Sequence, residues 1–153
     1  MRPALFVPIV TLSLAALAVA ACGDAVDPGA DETPMPALAV EDRAGVVLMT
    51  QNVVPLVAMD ALYEGRVVAD ERGCLRLDTP SACAVVWPHG YDVEARDDGS
   101  VVVDGEGAVV GTVGGGFSLA GGEVSELSDA MGFTSEDRSR AAASCPGRYW
   151  IGR

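Results

Sequence analysis

The chain has 153 residues, with ten arginines, no lysine and 22 acidic residues, for a formal charge of −12 at pH 7. That balance lacks the clustered cations that displace counterions from a phosphate backbone, so nucleic acid is excluded as a partner. Half of the residues are apolar but only 5% are aromatic, enough for one small domain with a real core and not for two.

The chain opens with Arg2 and an apolar run from Ala4 through Ala18, broken only by Pro8, Thr11 and Ser13. The run is short for a bilayer span and ends in small residues, as a cleaved leader does. Val19-Ala20-Ala21 followed by Cys22 resembles the lipobox of bacterial lipoproteins, with Val where the first position is usually Leu. The alternatives are an ordinary secretory signal with a chance cysteine, or an uncleaved membrane helix. The resemblance implies that residues 1–21 leave as a helical signal peptide and that the Cys22 thiol carries a diacylglycerol. The mature chain is then held to the cell envelope on its extracytoplasmic side. Nine arginines against 22 acids leave it at −13, so anionic lipid repels it and the covalent anchor alone holds it.

Residues 22–40 are read as the lipidated terminus and a flexible acidic tether, since GDAVDPGADETPMPA has too little apolar content to repay ordering. Residues 41–153 are read as the folded domain. Apolar runs at Ala44–Thr50 and Val53–Met59 come first, with Pro55 placing the second at an edge. Short strands are expected at Leu62–Ala69, Cys74–Asp78, Cys83–Trp87, Tyr91–Arg96, Val101–Asp104 and Ala108–Val113. Between them lie turns rich in Asp and Gly, whose side-chain bonds and positive φ close hairpins. The pattern predicts a mainly β domain, an antiparallel meander curled into a small OB-like barrel or a sandwich.

Gly114-Gly115-Gly116 and Gly121-Gly122 read as bends at a barrel corner. One or two short helices follow. Glu123–Met131 places Val124, Leu127 and Met131 on one face, and Thr134 caps a second, Ala-rich turn through Ala143. Tyr149-Trp150-Ile151 is expected to return to the sheet as a last strand. The order GCLRL, VWPHGY, DGSVVVDGEGAVVGTVG, LAGGEV and CPGRYWIG resembles a recurrent small secreted β-barrel domain of high-GC bacteria. That resemblance implies an OB-like barrel and nothing catalytic.

With Cys22 committed to lipid, Cys74, Cys83 and Cys145 remain for an oxidising compartment. In a hairpin around Pro80, Cys83 lies opposite Leu77 or Asp78 and Cys74 opposite Val86 or Trp87, too far apart to bridge. The favoured disulfide is therefore Cys74–Cys145, with Cys83 a buried thiol. Neither a CxxC nor a Cys/His cluster is present, so no metal or cofactor is expected. Asp97, Asp98, Asp104 and Glu106 sit where turns want carboxylates and lack calcium-loop spacing.

The sole histidine, His89, lies in Trp87-Pro88-His89-Gly90-Tyr91. Trp87, His89 and Tyr91 are candidates for a ligand groove, with Tyr149 and Trp150 beside them; in a chain this poor in aromatics the competing reading is core. Gly116-Phe117-Ser118-Leu119-Ala120 only approximates a nucleophile elbow, and Ser after His is the wrong order for that fold. The expectation is a membrane-anchored lipoprotein whose barrel is a binding or structural module for an unknown ligand, with an envelope protein as partner. The alternative is an extracytoplasmic, hydrolase-like enzyme working through His89 and Ser118.

Overall fold

The computed structural model describes residues 36–52 and 59–153. The leader, Cys22, most of the tether and residues 53–58 of the second expected strand lie outside the described residues.

The first strand begins earlier than expected. β1 (Leu38–Arg43) pairs along its whole length with β2 (Val46–Gln51), so order starts within the expected tether, before residue 41. The two-residue turn between them holds Ala44 at φ 52° and Gly45 at φ 79°, the left-handed pair that matches strand twist in a hairpin. Ala in the first turn position hides this hairpin from a search for Asn-Gly or Asp-Gly. The charges of Glu41, Asp42 and Arg43 mark the exposed end of β1, not a linker.

Then follow β3 (Ala61–Ala69), β4 (Leu75–Leu77), β5 (Ala84–Trp87), β6 (Asp92–Arg96), β7 (Gly99–Val103), β8 (Val109–Thr112), β9 (Gly116–Val124) and β10 (Tyr149–Gly152). Five of them close on themselves in the order β3-β4-β5-β10-β9, with β9 against β3 and β4 against β5. The molecule is mainly β, an OB-like five-stranded barrel with extra strands. It is not the expected antiparallel meander. β10 lies parallel to β5, with Tyr149 opposite Ala84, and β2 also runs parallel to β5, with Met49 opposite Val86. Parallel neighbours need long crossovers, and no turn between adjacent segments announces them.

β6, β7 and β8 form a separate three-stranded sheet whose Val93 and Val102 join the barrel's core. Asp104 closes one of its turns by accepting from the N–H groups of Glu106 (3.0 Å) and Ala108 (2.9 Å), the role expected of turn carboxylates. The helix expected over Glu123–Met131 does not form. Glu123 and Val124 end β9, and only a 3₁₀ turn at Asp129–Met131 remains. Gly121-Gly122 is likewise not a bend: a Cβ at Gly121 would fall 2.1 Å from the Ile151 carbonyl oxygen, so glycine there permits close strand approach within β9. α1 (Ser135–Ser144) begins at Thr134 as expected, in a reciprocal capping box with the fully buried Asp137.

β5 has a core on each face. Cys83, Val85 and Trp87 point into the barrel with Val67, Leu75 and Phe117. Ala84 and Val86 point outward into a second cluster with Leu38, Met49, Ala141 and Ile151. The β1–β2 hairpin and α1 therefore cover the barrel's outer side at β5 and β10. Gln51 fastens the hairpin there: its buried Nε2 donates to the carbonyls of Gly152 (2.8 Å) and Trp87 (3.2 Å).

Cys74 and Cys145 are bridged, with Cα atoms 5.7 Å apart and 71 residues of separation. The ladder behaves as the hairpin argument requires, since Leu77 N–H donates to Cys83 O at 3.0 Å. Cys83 is a free, buried thiol. A closed loop of this length stabilises by roughly 4 kcal/mol in the chain-entropy account. Replacing Cys74 and Cys145 together by Ala should lower the unfolding free energy by roughly 2–5 kcal/mol. Urea melts of the wild type with and without reductant should show the same loss, and coincident melts would refute a stabilising role. Independently, Trp87→Ala should cost about 3–5 kcal/mol, because it empties a site with no exposed surface.

Candidate functional site

The expected groove does not exist as an aromatic surface. Trp87 is 0% exposed, Tyr149 4% and Trp150 8%. Trp87 stacks on Tyr91 (centroids 6.0 Å) and meets the edge of Phe117 (5.2 Å), while Trp150 tilts against Tyr63. These rings are core because Trp87, Phe117, Trp150 and Tyr63 pack inside the closed barrel and Tyr149 packs in the outer cluster. Of the three candidates only His89 and Tyr91 reach a surface cleft, about 200 Å³, shared with Leu48 and Thr50 of β2. His89 is exposed, and its Nδ1 lies 3.2 Å from the carbonyl oxygen of Gln51. Burial pushes the Tyr91 phenol above its ordinary pKa, with Asp104 adding to the effect.

Ser118 sits on the exposed side of β9, opposite Glu64 of β3. Its neighbours are strand residues, and the partner of His89 is a backbone carbonyl, so the two do not form a nucleophile–base pair. Cys83 ends a chain of polar contacts: its Sγ lies 3.4 Å from Ser81 Oγ, which donates to Glu123 at 3.1 Å, and Arg148 Nε donates to Glu123 at 2.5 Å. Burial pushes the Cys83 thiol up, which keeps it protonated and unreactive. The chain of contacts ties the β4–β5 turn to the ends of β9 and β10.

A second polar knot lies beside the disulfide. Arg76, with only 14% of its side chain exposed, donates Nε to Asp70 (2.5 Å), Nη1 to Ala82 O (3.0 Å) and Nη2 to Pro146 O (2.9 Å). Asp70 Oδ1 accepts in turn from the N–H groups of Arg72 (2.8 Å) and Cys74 (2.9 Å). Burial pushes the Asp70 carboxyl up, but the Arg76 guanidinium and these two N–H donors outweigh it and hold the pKa below the ordinary value. Sequence reading passed over Arg76 because a lone arginine between two leucines carries no motif.

Two hollows flank this knot. The larger, about 450 Å³, lies between α1 and the segments around it, and is lined by Ser125, Ser135, Ser139, Glu126, Arg138 and Tyr149 among others; the Ser139 hydroxyl donates to the Ser135 carbonyl at 2.9 Å. Arg138 is held in place by Asp129 at 2.5 Å. Burial pushes the Tyr149 phenol up, against the opposing charge of Arg76, so it remains a neutral hydrogen-bonding group. The smaller hollow, about 330 Å³, is walled by Asp70, Glu71, Arg72 and Arg76. Pro146 lines both. No protein-family model, curated protein or solved structure matches the chain.

Asp70 gives a pH test with a definite sign. Its folded pKa is depressed, so its stabilisation is present above the unfolded value of about 3.9 and is lost as pH falls through the folded value. Asp70→Asn should flatten the acid limb of a stability-against-pH curve and leave its neutral region lower by on the order of 2 kcal/mol. Superimposable acid limbs would overturn this account.

Proposed function

We propose that the chain is an extracytoplasmic lipoprotein, anchored to the cell envelope by a lipid on Cys22, whose disulfide-stapled barrel docks an envelope partner. The observation that carries the reading is the Cys74–Cys145 bridge at the barrel seam. Persistent structural disulfides belong to oxidising compartments, which is where a chain with the Val19-Ala20-Ala21-Cys22 box is delivered. The strongly acidic composition bears on how it would be held, because anionic lipid repels the domain and leaves the covalent anchor as the attachment. The barrel contributes a rigid scaffold and its loops the docking surface.

The enzyme reading through His89 and Ser118 is not favoured, since the bonded partner of the His89 ring is the Gln51 carbonyl and Ser118 lies on the exposed side of β9 opposite Glu64. A hydrophobic or aromatic ligand is also disfavoured, because the rings that would receive it are interior. Metabolic labelling with palmitate tests the anchor. Full-length wild type should incorporate label and sediment with membranes, and Cys22→Ser should do neither. Sedimentation and labelling that survive Cys22→Ser would refute the lipoprotein reading.

A further inference from the structure

β1 is the strand of the seven-stranded sheet with a single neighbour, since β4 at the far end closes back onto β5. The ladder shows what its free side holds. Asn52 N–H donates to Ala37 O at 2.9 Å. Bonded pairs alternate along an antiparallel ladder, so Ala39, Glu41 and Arg43 bond to β2. The N–H and C=O groups of Leu38, Val40 and Asp42 therefore point away from the sheet. Arg140 Nη1 takes the Leu38 carbonyl at 3.1 Å, which fixes that direction independently. The main-chain groups of Val40 and Asp42 have no partner among the described residues.

An extended main chain presents donors and acceptors at the spacing of about 7 Å that alternate strand residues set. β1 is open to one, having no proline, lysine or bulge along its length. A receptacle for side chains lies beside it. Ala39 and Glu41 line the cleft of about 200 Å³ together with Thr50 and Leu48, their opposite residues on β2, and with His89 and Tyr91. A strand added to β1 places every second side chain on this face, next to Ala39, whose methyl leaves the way into the cleft low. Strand addition takes affinity from the main chain and specificity from such a cleft.

Charge selects the occupant. Glu41, Asp42 and Asp92 stand at this edge against one guanidinium, Arg43, which pairs with Glu41 and lies 3.7 Å from Asp92. The excess is negative, so a strand bearing Lys or Arg is preferred over an acidic one. The chain's own tether fits poorly: Asp24, Asp27, Asp31 and Glu32 have the wrong sign, and Pro28 and Pro34 lack the N–H. A second copy brings the same excess to both sides of the pairing, on chains of −12 each.

We propose that the outer edge of β1 takes an extended, basic segment of an envelope protein as an added strand, with one of its side chains in the cleft beside Ala39. This rests on the anchored-module reading above and adds a strand edge to the loops as its docking surface. The probe is a decapeptide of alternating Thr and Lys, titrated calorimetrically into detergent-solubilised full-length protein. One control peptide is N-methylated throughout its centre, which removes the pairing N–H groups, and another has Glu in place of Lys. Binding is expected, weakened at least about tenfold by N-methylation, by the change to Glu and by Asp42→Lys. Ala39→Trp, which blocks the way from the edge into the cleft, should weaken it as well. Circular dichroism with a thermal melt establishes that each variant is folded. In amide exchange followed by NMR, the Val40 and Asp42 N–H groups should gain protection on binding, whereas those of Ala39 and Glu41 are bonded already and should not change. No binding, affinity indifferent to N-methylation or to folded Ala39→Trp, equal binding of the Glu peptide, or no protection at Val40 and Asp42 would each overturn the proposal. A concentration-dependent dimer in sedimentation that protects the same two amides would assign the edge to a second copy and overturn the basic partner. Palmitate labelling that persists in Cys22→Ser would sink the anchor alone, whatever the peptide does.

Discussion

Burial of β5 on both faces is the constraint on which the rest of the structure depends. A strand open to water on one side alternates apolar and polar residues, but Ala84-Val85-Val86-Trp87 has no polar position and all four residues are buried. Such a run is stable only with a layer on each side. The barrel supplies one layer. α1 and the side chains clustered with it, among them Leu38, Met49, Phe133 and Ala141, supply the other. β2 and β10 lie parallel to β5 as hydrogen-bonded neighbours within the sheet, so they satisfy its edges while the second cluster covers its outer face.

Covering that face leaves polar backbone to be satisfied at its margins, and a few side chains meet the demand. Gln51 bonds the ends of β5 and β10. Arg76 takes two carbonyls and a carboxylate at the other end of the seam. Thr134 and Asp137 close the start of α1. Buried donors and acceptors are costly when unpaired, so these groups hold the second layer in one register. The disulfide joins the same neighbourhood covalently, linking the residue before β4 to the end of α1.

The cost falls on the aromatic surface. The aromatic rings are spent on two cores, and Leu62 and Val109 are the large apolar side chains left exposed among the described residues. The hollows around Pro146 arise where α1 and the loop before β10 cross the barrel edge. The hollows are thus by-products of how the outer layer is fastened, and their walls mix charged and serine side chains with Leu127, Ala142, Tyr149 and Pro146.

The sequence by itself determined the features that rest on local chemistry. Strand positions from Ala61 to Thr112, the Asp–Gly turns, the Thr134 cap and the last strand at Tyr149 were legible because alternation and turn residues act over a few positions. The bridge between Cys74 and Cys145 was legible too, by elimination, because ladder geometry forbade the nearer cysteine. What the sequence could not carry is which strands become neighbours. Nothing local in Leu38–Arg43 shows that it pairs and packs, nor in Gly121-Gly122 that a second strand passes within van der Waals contact. Only the tertiary structure decided that β10 and β2 lie parallel to β5, and with it that Trp87 is interior and Arg76 a junction. Side-chain burial is set by partners distant along the chain, whereas turns and caps are set by the residues beside them.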